Sequence, residues 1–551
     1  MIDSGEALRS HYAVVVVGGG SVGLSLAAEL GWRGVDCLVL EEREGLNDHP
    51  RANAVANRTM EYYRRWGIDQ AITEAGIPPS LPAEYLWVTT LHGREIHRIS
   101  LPPFDKLIRT RHSGGYADDE HNWSPYLKTI TGQQEVEAAI LEYVGRLEPA
   151  DLRFRHRLVD FDDDGERVSC RIEDLANGAV HEVSADYLAA CDGGRSTVRK
   201  QLGIDYEGDA GLASFVSLYF RAPDFIRHHN FGHGNIFFPL HRAHRGFLLT
   251  WDADCTYTYH LVLDEGQDWR DVDPVNAIHS VLGAQCNVEV KSVQPWTAHA
   301  LVAKEYMKGR VALVGDAAHL FSPTGGFGMN TGVSDAIDLA WKLKASLDGW
   351  AGPRLLGSYE RERRPVGIRN TRESADCFYR LFGVMQAGDE LDAEGADADA
   401  LRARLKADIK DQEKLVASSG TLLGYRYEGS DIVVPDGTPE PDDDPRRYRP
   451  VARPGHRAPH VWLESGDALY DRLGPDFTLL VLGERDARVD LFITAAAAVG
   501  LPLDILELDD PMVREVYDSD LILIRPDLMV AWRGGPESYE PQTILDRVRG
   551  S

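Results

Sequence analysis

The chain has 551 residues, enough for roughly three domains by the usual size range. Its hydrophobic content of 43%, with 52 glycines and 28 prolines, is that of a globular enzyme with ample core material. A formal charge of -28 argues against nucleic acid or an anionic membrane as partner, because polyphosphate would be repelled.

Met1 to Ser10 include acids and lack the apolar core of a secretory leader. The longest mostly apolar stretch, Leu491 to Leu503, is broken by Thr494, Gly500 and Pro502 and is too short to span a bilayer. A soluble, cytoplasmic protein is expected. The six cysteines are far apart with no C-x-x-C, so neither disulfides nor structural zinc are expected.

The first element is an apolar run, Ala13 to Val17, whose β-branched residues fit a strand buried on both faces. It breaks into Gly18-Gly19-Gly20-Ser21-Val22-Gly23, a G-x-G-x-x-G through Gly18, Gly20 and Gly23. Helix-forming residues from Leu24 to Leu30 follow, then a second apolar run, Cys37 to Leu40, ending at Glu41. In this context the first glycine permits the tight turn, the second lets backbone approach a pyrophosphate, and the third lets helix and strand pack closely. The helix start presents free N–H groups to the phosphates. Glu41 is placed to accept hydrogen bonds from a ribose, and its charge disfavours a 2′-phosphate, so FAD or NAD is expected rather than NADP.

Beyond Glu41 a polar loop carries His49-Pro50-Arg51-Ala52-Asn53, followed by a helical segment from Arg58 to Trp66 stopped by Gly67. Arg51 reads either as a cofactor contact or as a solvated loop residue. An amphipathic helix begins near Thr131, its expected N-cap, and carries Gln133 and Glu137. Alternating segments from Leu152 to Val183 read as a meander leading to a buried strand that closes in Cys191-Asp192-Gly193. From Phe215 to Glu289, period-two patterns rich in aromatics indicate a separate antiparallel sheet with one face able to line a pocket. His228, His229, His233, His241 and His244 match no zinc spacing, and no metal is expected.

A further buried strand, Val311 to Val314, runs into Gly315-Asp316. The loop Ser322 to Asn330 then opens a long helix, a second anion cradle. The charged run Tyr359 to Arg364 reads as a solvated helical face halted before Pro365. An acidic, helical stretch from Ala387 to Lys414 leads to Pro435 to Pro445, an exposed connector without regular structure, and then to a small α/β unit. No internal repeat is present.

Together the Gly18 fingerprint, the Asp192-Gly193 turn and the Gly315-Asp316 turn resemble the group A FAD-dependent aromatic hydroxylases of the phenol and polyketide hydroxylase branch, related to p-hydroxybenzoate hydroxylase. The likeness covers about the first 370 residues. Arg453 to His460 and Arg525-Pro526-Asp527 extend it to that branch's thioredoxin-like tail, here without a C-x-x-C and so read as a packing or dimerisation unit. The resemblance implies an α/β fold: a Rossmann-like FAD-binding domain (1–75, 100–200 and 300–385) interrupted by a mainly antiparallel β-sheet substrate domain (76–99 and 201–299). A helical, acidic connector (386–445) and a thioredoxin-like domain (446–551) follow.

By the same resemblance, Gly18, Gly20, Ser21, Val22, Gly23, Glu41, Arg51, Gln133, Asp192 and Asp316 bind FAD. Gly328, Met329 and Asn330 meet the isoalloxazine edge. NADPH or NADH is implied as a transient co-substrate, consistent with the absence of a second fingerprint. The implied reaction hydroxylates a small phenol-like aromatic with O2 through a flavin C4a-hydroperoxide, so the flavin carries the chemistry and no acid–base constellation is needed. Pro323 and Asn53 are expected beside the substrate, Asn53 as an amide where relatives can have an acid. Tyr219 and Tyr257 are pocket candidates, and His319 reads as a turn residue. Baeyer–Villiger oxygenation and a non-catalytic flavin- and ligand-binding protein stand as alternatives. A homodimer or higher homo-oligomer is compatible with the sequence.

Overall fold

The structure, a computed structural model, describes residues 7–101, 103, 122–229, 231–252, 254–385, 389–410, 418–534 and 540–551. The first sheet is centred on β1 (His11–Val17), which runs parallel to β2 (Cys37–Glu41) on one side and to β5 (Val180–Ala190) on the other. Val14, Val15 and Val16 are fully buried, as expected of a strand covered on both faces. On its far side β5 pairs in parallel with β10 (Val311–Leu313), so the chain returns to this sheet after more than a hundred residues. Helix α1 (Ser21–Trp32) packs against α4 (Gly328–Leu347), with Gly332 and Gly315 closing on the Val22 side chain. A two-stranded ribbon, β3 (Ala54–Val55) with β4 (Thr129–Ile130), precedes helices α2 (Asn57–Arg65) and α3 (Gln133–Val144). Gly132, not Thr131, is the N-cap of α3, because the Thr131 hydroxyl donates instead to Ile72 O at 2.9 Å.

Among the described residues the second sheet has eight strands, with the long β6 (Tyr206–Arg221) paired antiparallel between β8 (Thr256–Val262) and β9 (Glu289–Ala303). Strand β7 (Gly246–Thr250) lies beyond β8, and the sheet extends through Ile236–Pro239 to Ala83–Val88 and Glu95–Leu101. Alternation gives it two faces. Val216, Leu218, Phe220 and Tyr259 pack with Ile278, Val281 and Leu282 of the helix Pro274–Leu282. The opposite face meets Phe378 and Phe382 of α5 (Ser358–Val384) and the loop that carries His49.

Helix α5 runs straight through Pro365, contrary to the stop expected there. The charged run is a solvated face only in part: Arg361 is exposed, whereas Glu362 and Arg363 are buried in ion pairs with Arg525 and Asp335. Within the acidic stretch a helix spans Ala396–Lys410, whereas 387, 388 and 411–414 lie outside the described residues. The segment from Pro435 to Pro445 has no regular structure but is strapped down. Asp436 pairs with Arg533 at 2.6 Å, Asp443 with Arg369 at 2.7 Å, and Glu440 accepts from His456 Nε2 at 2.6 Å and from Arg453.

The last unit is a four-stranded sheet in which Phe477–Val481 is parallel to Leu503–Glu507 and antiparallel to Leu521–Ile524, which pairs with Val530–Gly534. Buried charges join it to the first sheet's helices. Arg525 donates to Glu362, Asp338 and Asp527, and Lys342 donates to Asp338 at 2.7 Å and Glu362 at 2.6 Å, all in the interior. Arg457 reaches Glu61, which also takes Arg58 at 2.9 Å. Among the described residues no helix is long and apolar enough to cross a membrane, and no group of His, Cys, Asp and Glu is arranged to hold a metal.

Candidate functional site

Two of the three fingerprint glycines are demanded by the protein itself. Gly18 has φ +106°, and a Cβ there would lie 2.4 Å from Cys191 O; one on Gly23 would lie 1.9 Å from Gly18 O. At Gly20 the nearest protein atom to a Cβ is Glu137 Oε1 at 3.8 Å, so its bareness serves the open side of the turn, where a pyrophosphate is expected. Glu137 Oε1 accepts from Ser21 N at 3.0 Å, Ser21 Oγ at 2.8 Å and Gln133 Nε2 at 2.7 Å. A single carboxylate thus draws Ser21 and Gln133 together at the positive end of α1.

Glu41, at the tip of β2, accepts from Gly19 N at 2.8 Å and from Arg43 N at 2.9 Å and Nε at 2.8 Å. Burial acts to raise its carboxyl, but the Arg43 and Gly19 donors outweigh that and hold it below the usual range. Val22 fills the seam between Gly315 and Gly332 and offers a ligand only its backbone. Asp192 Oδ2 accepts from Thr197 N at 2.8 Å at the start of the helix Thr197–Gln201, whose N-cap is Ser196, while its Oδ1 is buried without a partner among the described residues. Asp316 follows Gly315, which sits at φ +61°. Asp316 itself is exposed, yet the protein packed around the turn pushes its carboxyl above the usual value, with His319 and Arg51 acting in the opposite sense.

The second cradle is the loop before α4. Gly325 and Gly326 take φ of +85° and +69°, and the first helical N–H with a partner is that of Thr331, bonded to Phe327 O at 2.8 Å. Gly328, Met329 and Asn330 therefore open the helix with backbone donors available to an anionic flavin edge. The Asn330 side chain has another task. Its Oδ1 accepts from Ala56 N at 2.8 Å and Thr59 Oγ1 at 2.7 Å, and its Nδ2 donates to Gly326 O at 2.7 Å and Ala54 O at 3.1 Å. It clamps the loop to β3, so only its backbone is left for the flavin edge. His319 is internal: Nε2 lies 2.7 Å from Asp335 Oδ2, and Asp335 Oδ1 accepts from Arg363 Nε at 2.7 Å.

Pro323 is exposed while its neighbours Ser322 and Thr324 are buried and held by Ser374 of α5, Ser322 Oγ donating to Ser374 O at 2.8 Å and Thr324 Oγ1 at 2.7 Å. Asn53 lies between Arg51 and β3, its carbonyl accepting from Thr131 N at 3.2 Å. On the second sheet, Tyr219 is half-buried with its ring edge-on to His49, centroids 6.0 Å apart. Tyr257 does not share a face with Tyr219. Strand register pairs Tyr219 with Thr258 and Phe220 with Tyr257, which puts the two tyrosines on opposite faces. Tyr257 packs on Phe225 with centroids 4.5 Å apart and donates its hydroxyl to Asp254 O at 2.9 Å.

Sequence reasoning missed His49 and His260. His49 lies 2.7 Å from both Ser217 Oγ and Ser292 Oγ, joining the cofactor loop to two strands of the second sheet. Burial, helped by Arg51, lowers its pKa to about 4. The signal was its place two residues before Arg51. For His260, in a strand, there was none.

The open glycine turn, the unpartnered Asp192 oxygen and two helix starts with free donors fit an extended flavin dinucleotide. An FAD binding domain model matches residues 11–374, and a model for the C-terminal domain of aromatic-ring hydroxylases matches residues 451–551. The chain belongs to the FAD-dependent aromatic-ring hydroxylases. This hydroxylase is 31% identical to the 4-methyl-5-nitrocatechol 5-monooxygenase of a Burkholderia species, over 97% of the chain and 96% of that protein. It is also 31% identical to an aklavinone 12-hydroxylase of Streptomyces peucetius, over 82% of the chain and 86% of that protein. Among solved structures it is similar to RebC with bound 7-carboxy-K252c, with a TM-score of 0.88 and 34% identity over 98% of the chain and 100% of that one. PieE in complex with FAD and substrate gives a TM-score of 0.88 at 30% identity, with the same coverage. The hydroxylase is an FAD-dependent monooxygenase of aromatic compounds.

Proposed function

We propose that this hydroxylase uses NAD(P)H and O2 to place one hydroxyl on a phenol-like aromatic ring, either a catabolic phenol or a natural-product scaffold. Bound FAD supplies the acceptance of hydride and the activation of oxygen. The protein's own residues do the rest. Ser21 and the start of α1 receive the pyrophosphate with Arg51, Gln133 and Asp192 around it, and Glu41 receives the adenosine ribose. Asp316 faces the ribityl or pyrophosphate part, and the start of α4 stabilises negative charge at the flavin edge. Pro323 and Asn53 form one wall of the substrate pocket, and the second sheet forms the other.

The observation that carries this reading is the polar row on that sheet, Ser217, Tyr219 and Ser292, gathered around His49 from the cofactor loop. Hydroxyls and an uncharged imidazole suit a neutral oxygenated ring. Incubation of the purified yellow protein with a panel of phenols should show NAD(P)H oxidation stimulated by some of them, and 18O2 should label the product at a ring hydroxyl. A protein that stays colourless in excess FAD, or label found in a ring-expanded ester, would defeat the proposal.

A further inference from the structure

The row of the second sheet next to Tyr219 is Gln294, Ser217, His260 and Phe247, one residue from each of four adjacent strands and none charged. His260 is 5% exposed. Its ring is stacked on Phe247 with centroids 4.4 Å apart, and Trp296 stands edge-on at 5.6 Å. Trp296 Nε1 lies 3.2 Å from His260 Nδ1. An indole nitrogen can only donate, so Nδ1 must accept. In a neutral ring the proton is then fixed on Nε2. Burial, with His49 nearby, lowers the His260 pKa to about 3, so the ring is neutral at working pH. Nε2 is the ring nitrogen farther from the backbone, so it points away from the strand, and it is buried without a partner among the described residues. Leaving such a donor unmet is costly, so an acceptor belongs there.

Resting on the proposed aromatic substrate, we propose that His260 is a substrate-recognition residue whose Nε2–H donates to an uncharged carbonyl oxygen carried by the ring, selecting acyl- or quinone-bearing aromatics over plain alkyl phenols. Ser217 stands directly across the strand pair from His260 and is fixed by His49 at 2.7 Å, which ties this donor to the loop that also bears Arg51. The row offers no cation to a carboxylate, so a benzoate is disfavoured at this point.

Oxidised, FAD-loaded protein is titrated with 4′-hydroxyacetophenone and with 4-ethylphenol, which share ring and hydroxyl and differ in the carbonyl, without any nicotinamide. Flavin absorbance or calorimetry reads binding. The ketone should bind about tenfold more tightly. His260→Phe should abolish that ratio while leaving 4-ethylphenol affinity and FAD content within about twofold. His260→Gln, which keeps an N–H donor, should retain part of the preference and guards against simple misfolding of the Phe variant. Equal binding of the two ligands, no binding of either, an unchanged ratio in His260→Phe, or a water on Nε2 with the ketone bound elsewhere would overturn the proposal. If the ratio behaves as expected but no phenol stimulates NAD(P)H oxidation, the proposed reaction fails and the recognition role stands.

Discussion

His49, His229 and His260 are buried neutral, with pKa values lowered from 6.5 to about 4, about 4 and about 3. Because the folded values are depressed, the unfolded chain takes up protons first. The stability these rings contribute is complete above about pH 6.5 and is lost as pH falls toward 4, at up to about 2 kcal/mol each by about pH 5. Denaturant melts across this range should therefore show a steep acid loss, and His260→Gln should make it shallower; an unaltered slope would contradict the burial argument. Asp335 presents a sharper case. It accepts from Arg363 and pairs with His319 in the interior, where burial acts to raise its carboxyl but Arg363 and His319 outweigh it and hold it low. Asp335→Asn should cost about 3–5 kcal/mol by leaving the Arg363 charge uncompensated. Chemical denaturation checks this, and a loss below about 1 kcal/mol would mean that Arg363 finds another partner.

At the scale of elements, the loop before α4 gains its shape from α5 behind it. Ser374 accepts from Ser322 and Thr324, which turns Pro323 outward. Ser374→Ala removes the hydroxyl that takes Ser322 N at 3.1 Å. It should cost about 1 kcal/mol of stability and weaken FAD binding severalfold, read by fluorescence titration of the apoprotein. Unchanged FAD affinity would show that the loop holds itself. The glycine turn after β1 was legible because its demands are local: φ +106° at Gly18 admits few residues besides glycine, and the helix must start within a few positions. The faces of the second sheet were not. Period-two patterns say that one face is buried, but where both faces are covered they cannot say which residues share a face with the His49 loop, and the register sets Tyr257 on the face opposite Tyr219.

For the whole molecule, the C-terminal unit is a brace. Arg525 enters a buried cluster with Lys342, Asp338 and Glu362 on α4 and α5, and Arg58 Nη2 donates to Asp527 O at 2.7 Å. Burial opposes charge on Glu362, but Arg525 and Lys342 keep it ionised well below its usual range. Arg525→Met should destabilise the protein by about 3–5 kcal/mol, since it strands acids in the interior. A chain ending near residue 445 should fail to accumulate as soluble yellow protein. A monodisperse truncated protein with one FAD per chain would show that the brace is dispensable. The six cysteines end at Cys377, so this unit has no thiol with which to do redox work.

By itself the sequence determined the cofactor turn, the strands that carry it and the class of enzyme, because backbone conformation, hydrophobic period and short motifs are properties of neighbouring residues. Tertiary structure decided which groups on those elements meet. Glu362 lies 163 positions from Arg525 and Ser217 lies 168 from His49, and no local pattern connects them. Burial makes such pairs strong and leaves an unmet donor on His260 conspicuous, and burial exists only once the sheets have closed on one another.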